Sequence, residues 1–96
     1  STSEELTPKI HYQIANTFYL EGKLKEAIKA YDDVIRNYPE DHFAIEAKFG
    51  KAVSLEETDN LKDALSLYRE ILDKYANKDA VKERINGIEA RLREGR

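Results

Sequence analysis

One stretch of the chain repeats itself at a fixed distance. Residues 15–38 and residues 52–75 align at an offset of 37 residues, with six identical positions among 24. Five of the six are apolar or aromatic and fall where a helix would bury them. The identical pairs are Ala15/Ala52, Leu24/Leu61, Lys25/Lys62, Ala27/Ala64, Tyr31/Tyr68 and Tyr38/Tyr75. A repeat of this length predicts a stacked helical array, in which no unit can bury its apolar face alone.

Apolar spacing and turn signals together predict five helices joined by short connections, each antiparallel to the next. The first helix is predicted to begin at Thr7 and Pro8, because a proline at the first helical position loses no hydrogen bond. Residues 1–6 are expected to be frayed or to be the stub of a preceding segment. The other helices are predicted at about residues 23–38, 41–57, 61–75 and 77–95.

Local residues account for the ends of these helices. Gly22 ends the first helix, because glycine adopts the left-handed conformation at no steric cost. In the second repeat Asp59 or Asn60 is expected to tolerate the same geometry. Asp41 and Asn77 are predicted to cap the helices that follow them.

Each helix is predicted to bury one stripe of apolar residues. In the first helix the stripe consists of Ile10, Ile14, Ala15 and Phe18. The last helix has a single narrow stripe at Val81, Ile85, Ile88 and Leu92. A helix with one apolar side at the end of an array shields the last hairpin and leaves a polar outer surface.

The repeated residues stand where a tetratricopeptide repeat has its signature positions. The first repeat carries that pattern at Ala15, Phe18, Gly22, Leu24, Ala27, Ile28, Tyr31, Val34, Ile35 and Pro39. The second repeat keeps most of it, with Asp59 for the glycine and Ala76 for the proline. The chain therefore resembles this family, although the usual tryptophan of the first helix is absent. The string at residues 38–48 and the 37-residue period also resemble a variant found in bacterial envelope proteins.

The resemblance implies an all-α fold, an antiparallel helix-turn-helix array that forms a right-handed α-solenoid with five helices. It implies one domain with repeat 1 at residues 8–39, repeat 2 at 40–76 and a capping helix at 77–95. In such arrays the first helix of each repeat lines a concave groove and the second helix forms the outer wall.

The same assignment predicts which residues face the groove. Eight are predicted to form a peptide-binding surface: Tyr12, Asn16, Tyr19, Leu20, Glu46, Phe49, Val53 and Glu56. The capping helix is expected to add Glu83, Asn86, Ala90 and Arg93. Exposed aromatic residues in a concavity mark an interaction surface, and the acidic flank of Glu46, Glu56 and Glu57 favours a mildly basic ligand. The alternative is that the aromatic residues pack on one another.

Composition excludes several classes of function. The net charge is −3 with both signs interspersed, so no surface for nucleic acid is evident. No apolar run approaches the length of a membrane span. The absence of cysteine fits either a cytoplasmic or a periplasmic location. Because the chain begins at Ser1 without a methionine, we expect it to be a piece of a longer protein.

Residues that could carry chemistry are scattered. His11 and His42 stand apart, and the adjacent acidic pairs at 32–33 and 56–57 point about 100° apart on a helix. We therefore predict no catalytic residues, no cofactor and no metal. Gly50 within the third helix indicates either a close helix approach or a dent in the groove surface.

The first hypothesis is a non-enzymatic module that binds a peptide or a partner's helix in the groove. A structural or self-associating scaffold, part of a longer array or a homo-oligomer, is the alternative, and an enzyme is the third.

Overall fold

The computed structural model describes the backbone of residues 2–95 and the side chains of residues 7–95. Its five helices are α1 (Thr2–Leu20), α2 (Leu24–Asn37), α3 (His42–Glu57), α4 (Leu61–Ile71) and α5 (Lys78–Glu94). Each helix packs on the next, and α1 also contacts α3. Residues 2–95 contain no strand. The predicted all-α fold with five helices is confirmed.

The two hairpin turns use the same backbone conformation with different residues. Gly22 has φ 78° and Asp59 has φ 65°, both in the left-handed region. After each of them the next N–H returns to a carbonyl of the preceding helix, from Lys23 to Phe18 at 2.9 Å and from Asn60 to Leu55 at 2.8 Å. Asp59 therefore provides the geometry that Gly22 provides, as its position in the sequence predicted.

Two helix starts are capped by the side chains that were predicted to cap them. The Asp41 carboxylate accepts a hydrogen bond from the Phe43 N–H at 2.8 Å. The Asn77 side-chain oxygen accepts one from the Ala80 N–H at 3.1 Å. Each cap satisfies a backbone donor that the first turn of a helix leaves without an intrahelical partner.

The core consists of two clusters of buried side chains, one for each hairpin. The first contains Ala15, Ala27, Tyr31, Val34 and Ala47. The second contains Ala52, Val53, Ala64, Leu65, Tyr68, Ile71, Val81 and Ile88, so α5 closes it. The four alanines of the repeat pattern are 0% exposed, and small side chains at such positions permit a short distance between helix axes.

The start of α1 differs from the prediction. Thr7 and Pro8 do not begin the helix, because it starts at Thr2 and Pro8 lies inside it, where it is buried. The residues before the proline include Glu4, Glu5 and Leu6, which are good helix formers, so the helix continues across the one missing N–H. Ser1 lies outside the described residues.

Two of the four residues predicted for the buried stripe of α1 are exposed, and the other two are buried or half-buried. Ile10 is 49% exposed and Ile14 is 48% exposed, whereas Ala15 is fully buried. Phe18 is half-buried against the first cluster, together with Tyr12. Apolar residues occur on almost every side of this helix, so spacing alone did not distinguish the face that packs from the face that does not.

Helix α4 ends at Ile71, four residues earlier than predicted. The chain continues through turns, with the N–H groups of Lys74 and Tyr75 both bonded to the Ile71 carbonyl at 2.9 Å. Leu72 and Tyr75 still pack against the second cluster. Their apolar spacing therefore continued the helical pattern after the helix itself had ended.

Candidate functional site

An open cavity of about 230 Å³ lies where α1, α3 and α5 meet, with one residue of α2 at its floor. Its wall contains four aromatic side chains, one valine, one glycine, one asparagine and one arginine. They are Tyr12, Asn16, Tyr19, Tyr31, Phe49, Gly50, Val53 and Arg84. The wall is therefore mainly aromatic, with a small number of polar groups.

Tyr31 forms the floor because Gly50 leaves room for its ring. A Cβ atom at Gly50 would lie 2.6 Å from Cε1 and 2.8 Å from Oη of Tyr31, closer than real Cβ contacts. The Tyr31 hydroxyl donates a hydrogen bond to the Asn16 side-chain oxygen, and burial raises the pKa of Tyr31. Of the two interpretations of Gly50, the close helix approach is therefore correct, and the glycine also lies at the cavity surface.

The other aromatic residues pack on neighbouring rings and present one side to the cavity. Phe49 stacks on Tyr75 with ring centroids 4.4 Å apart and meets Tyr68 edge-on at 5.8 Å. Tyr12 packs on Phe43 at 5.2 Å. Tyr12 and Phe49 both remain half-buried. Mutual packing, the alternative to an open groove, thus accounts for part of their surface, and the remainder lines the cavity.

The charged groups at the rim bond mainly to one another and to tyrosines. Glu56 accepts a hydrogen bond from the Tyr68 hydroxyl at 3.0 Å and one from the Arg84 guanidinium at 3.3 Å. Burial, followed by the Glu56 carboxylate, raises the pKa of Tyr68. The Tyr19 hydroxyl donates to Glu57, and this hydrogen bond raises the pKa of Tyr19. Both carboxylates are thus already engaged by donors of the chain.

The structure brings together five of the eight predicted groove residues. The five that line the cavity are Tyr12, Asn16, Tyr19, Phe49 and Val53. Three others lie outside its lining: Leu20, which is 82% exposed, and the acidic residues Glu46 and Glu56. Leu20 is displaced because it stands one residue, or about 100°, beyond Tyr19 on the helix.

Sequence reasoning missed Tyr31 and Arg84 as cavity residues. Tyr31 is the aromatic residue of the repeat pattern on the second helix, and the pattern assigned it to the core. Arg84 lines the cavity from α5, whereas the four residues expected from that helix, Glu83, Asn86, Ala90 and Arg93, do not. Which side of α5 faces the cavity depends on how α5 packs on α4, and the repeat pattern does not include α5.

Within the described residues, no three His, Asp or Glu side chains come together in a way that could hold a metal ion. The two histidines lie against aromatic rings. The ring centroids are 5.8 Å apart for His11 and Tyr38 and 4.1 Å apart for His42 and Phe43. No helix between residues 2 and 95 has both the length and the apolar character that crossing a membrane requires.

Comparison of the sequence with models of known protein families gives one match. The model of a family described as tetratricopeptide repeat matches residues 12–79, which contain α2, α3 and α4 in full and about the last half of α1. Comparison with curated proteins and with solved structures found no significant match. The matched region covers the repeated residues 15–38 and 52–75 and all the cavity residues except Arg84. With the repeat at 37 residues, the two left-handed turns and the five packed helices, this match shows that the chain belongs to the tetratricopeptide-repeat family.

Proposed function

We propose that this chain is a protein-protein interaction module that holds an apolar side chain of a peptide or a partner's helix in the cavity between α1, α3 and α5. Proteins of this family are generally interaction modules and are typically not catalytic. The observation that carries the proposal is the aromatic wall of the cavity, in which Tyr12, Tyr19 and Phe49 each retain accessible surface.

The size of the cavity fits a single large side chain. A cavity of about 150 Å³ lined by apolar side chains holds a benzene molecule, and pockets for drug-sized ligands begin at about 300 Å³. At about 230 Å³ the cavity lies between these sizes. One aromatic or branched aliphatic residue therefore fills it, and the rest of the partner lies along the surface outside.

Charge near the cavity supports a mildly basic, amphipathic partner. Arg84 and Glu56 form a pair that is neutral overall, so the negative charges of Glu46 and Glu57 remain. Glu46 lies close enough to Tyr75 to raise its pKa, after burial as the main cause, which places this carboxylate beside the Phe49–Tyr75 stack. Charges at a rim act mainly on association rate and on the choice of partner.

The test is to select peptides from a library against the wild-type chain and to titrate the best of them against Tyr12→Ala. Loss of an aromatic anchor typically costs about 2 kcal/mol, or about 30-fold in affinity. Tyr12 is a better choice than Phe49, because Phe49→Ala would remove the closer ring contact, with Tyr75 at 4.4 Å, whereas the Tyr12 ring lies 5.2 Å from that of Phe43.

Tyr38→Ala is the matched control. Tyr38 is also half-buried and packs on the first cluster, but it does not line the cavity. The proposal expects Tyr38→Ala to bind the selected peptide as the wild type does. If Tyr12→Ala keeps full affinity while circular dichroism shows it folded, the peptide binds elsewhere and the assignment of the cavity is wrong.

A further inference from the structure

The large apolar side chains that are exposed in the described part of the chain all lie on α1. Ile10 is 49% exposed, Ile14 is 48% exposed and Leu20 is 82% exposed. With Gln13 and Thr17, both also exposed, they follow the spacing i, i+3, i+4, i+7, i+10 of one side of a helix. These five residues form a surface here called the outer face of α1, and none of them lines the cavity.

The outer face of α1 has no charged group. Residues 10–20 form the longest run without Lys, Arg, Asp or Glu in a chain that is 36% charged. The Thr17 hydroxyl donates to the Gln13 backbone carbonyl at 3.0 Å, so this hydroxyl has a partner within the helix. By contrast, α5 at the other end exposes Lys82, Glu83 and other polar residues. An apolar exposed surface of this kind marks an interaction site.

We propose that the outer face of α1 packs against the same face of a second copy of this chain, with the two helices antiparallel. A two-fold axis at the middle of residues 10–20 brings together residues whose numbers sum to 30. Ile10 then faces Leu20 of the other copy, and Gln13 faces Thr17. Ile14 lies one residue from the axis, so it packs beside Ile14 of the other copy. Apolar groups meet apolar groups and polar groups meet polar groups, which is the self-complementarity that a two-fold interface requires.

The charges that flank the face support this orientation. Lys9 precedes it and Glu21 follows it, and the same two-fold axis places Lys9 of one copy beside Glu21 of the other. A parallel pair would place like charges together. Glu21 already contacts Lys23 at 3.4 Å, but both side chains are about half exposed, and exposed pairs of this kind are weak enough to exchange.

The area of the face sets the strength of the dimer. Residues 10–20 extend over about 15 Å of helix, and two such faces bury less than the roughly 1,200 Å² of a stable interface. We therefore expect a weak dimer with a dissociation constant on the order of 10⁻⁴ M.

Sedimentation equilibrium between about 10 µM and about 1 mM tests the proposal, because this range brackets the expected constant. The wild type should change from monomer to dimer across it. Ile14→Lys should stay monomeric throughout, since it places like charges near the two-fold axis. The control Asn86→Lys adds the same charge at an exposed position of α5 and should dimerise as the wild type does. Melting curves by circular dichroism confirm that each variant is folded.

A charge exchange tests the antiparallel register. Lys9→Glu should weaken the dimer several-fold, and the double variant Lys9→Glu, Glu21→Lys should restore it. A wild type that is monomeric at the highest concentration overturns the proposal, and so does an Ile14→Lys variant that still dimerises. If the double variant forms a dimer no tighter than that of Lys9→Glu, the antiparallel arrangement is wrong. Peptide binding in the cavity is measured separately, and Ile14→Lys should leave it unchanged.

Discussion

Tyr31 of the first hairpin and Tyr68 of the second stand 37 residues apart, and they are 1% and 0% exposed. Their hydroxyl groups have different partners. Each donates to the first helix of its own hairpin, Tyr31 to Asn16 of α1 and Tyr68 to Glu56 of α3, but Glu56 also binds Arg84 of α5. The repeat pattern therefore specifies the burial of the ring, and the neighbouring helices determine what its hydroxyl contacts.

The helices that follow the two tyrosines differ in the same way. Gly50 of α3 lies beneath the Tyr31 ring, and Gly87 of α5 is its counterpart 37 residues on. A Cβ atom at Gly87 would have no neighbour within 4 Å. The first hairpin thus packs closely on the helix after it at this position, while the capping helix leaves open space. Three predictions test this difference between the hairpins, beginning with the largest expected effect.

The first prediction concerns alkaline pH and compares the two tyrosines. Burial raises the pKa of both in the folded state above their ordinary value of 10.0. Below pH 10 each phenol is neutral in both the folded and the unfolded chain, so the stability that the two tyrosines contribute is fully present. Above it the unfolded chain loses protons that the folded chain keeps, and stability falls by up to about 1.4 kcal/mol per pH unit for each tyrosine.

Urea unfolding at a series of alkaline pH values measures the slope of the free energy of unfolding against pH. Tyr31→Phe and Tyr68→Phe should each reduce it, because a phenylalanine does not titrate. The two variants should reduce the slope by similar amounts, because each tyrosine contributes at most one proton. The Glu56 carboxylate adds to the pKa shift of Tyr68, so the contribution of Tyr68 should persist to higher pH. If all six tyrosines ionise together near pH 10 in the folded protein, as followed by the absorbance of tyrosinate, the prediction is wrong.

The second prediction compares the two glycines. Gly50→Ala should destabilise the fold by about 1–3 kcal/mol, because the new methyl group meets the buried Tyr31 ring. Gly87→Ala should stabilise it by about 0.5–1 kcal/mol, because alanine is the better helix former and the space is open. Thermal or urea unfolding of both variants measures the two effects with opposite signs. Equal gains in stability would mean that Tyr31 can move aside and that α2 and α3 do not pack closely at this point.

Local features of the sequence accounted for most of the fold. The caps Asp41 and Asn77 and the turn residue Asp59 each act through a backbone group within three residues, so the residue types alone indicated them. The helices themselves followed from periodicity, which is also local. The end of α4 was missed because Leu72 and Tyr75 keep a helical spacing in a chain that is no longer helical.

Features that depend on the packing between helices were less predictable. Ile10 and Ile14 were assigned to the core because they repeat at helical spacing, yet the other side of α1 carries equally apolar residues. Arg84 was missed because its place in the cavity depends on how α5 packs on α4. The repeat pattern contains both α1 and α3, which is why five residues of these helices that line the cavity could be named from the sequence, although Leu20, Glu46 and Glu56 lie outside its lining. Whether they bind a partner stays a prediction until the peptide titration is made.

The third and smallest prediction compares the two turns, which place different residues in the same left-handed conformation. A residue with a Cβ pays about 1 kcal/mol there relative to glycine. Gly22→Asp should therefore lower stability, and Asp59→Gly should raise it, each by up to about 1 kcal/mol. A Cβ atom at Gly22 meets nothing within 4 Å, so the backbone conformation is the dominant cause at that position.

At Asp59 the side chain adds a second effect of opposite sign. Its carboxylate lies 3.1 Å from the Arg91 guanidinium, but it is 80% exposed, so the ion pair contributes little. The gain from Asp59→Gly should therefore persist when thermal unfolding is repeated at high salt, which screens the pair. If Asp59→Gly loses stability at low salt and gains it at high salt, the contact between the second turn and α5 outweighs the backbone strain. The two turns would then be stabilised by different interactions, as the two tyrosines are.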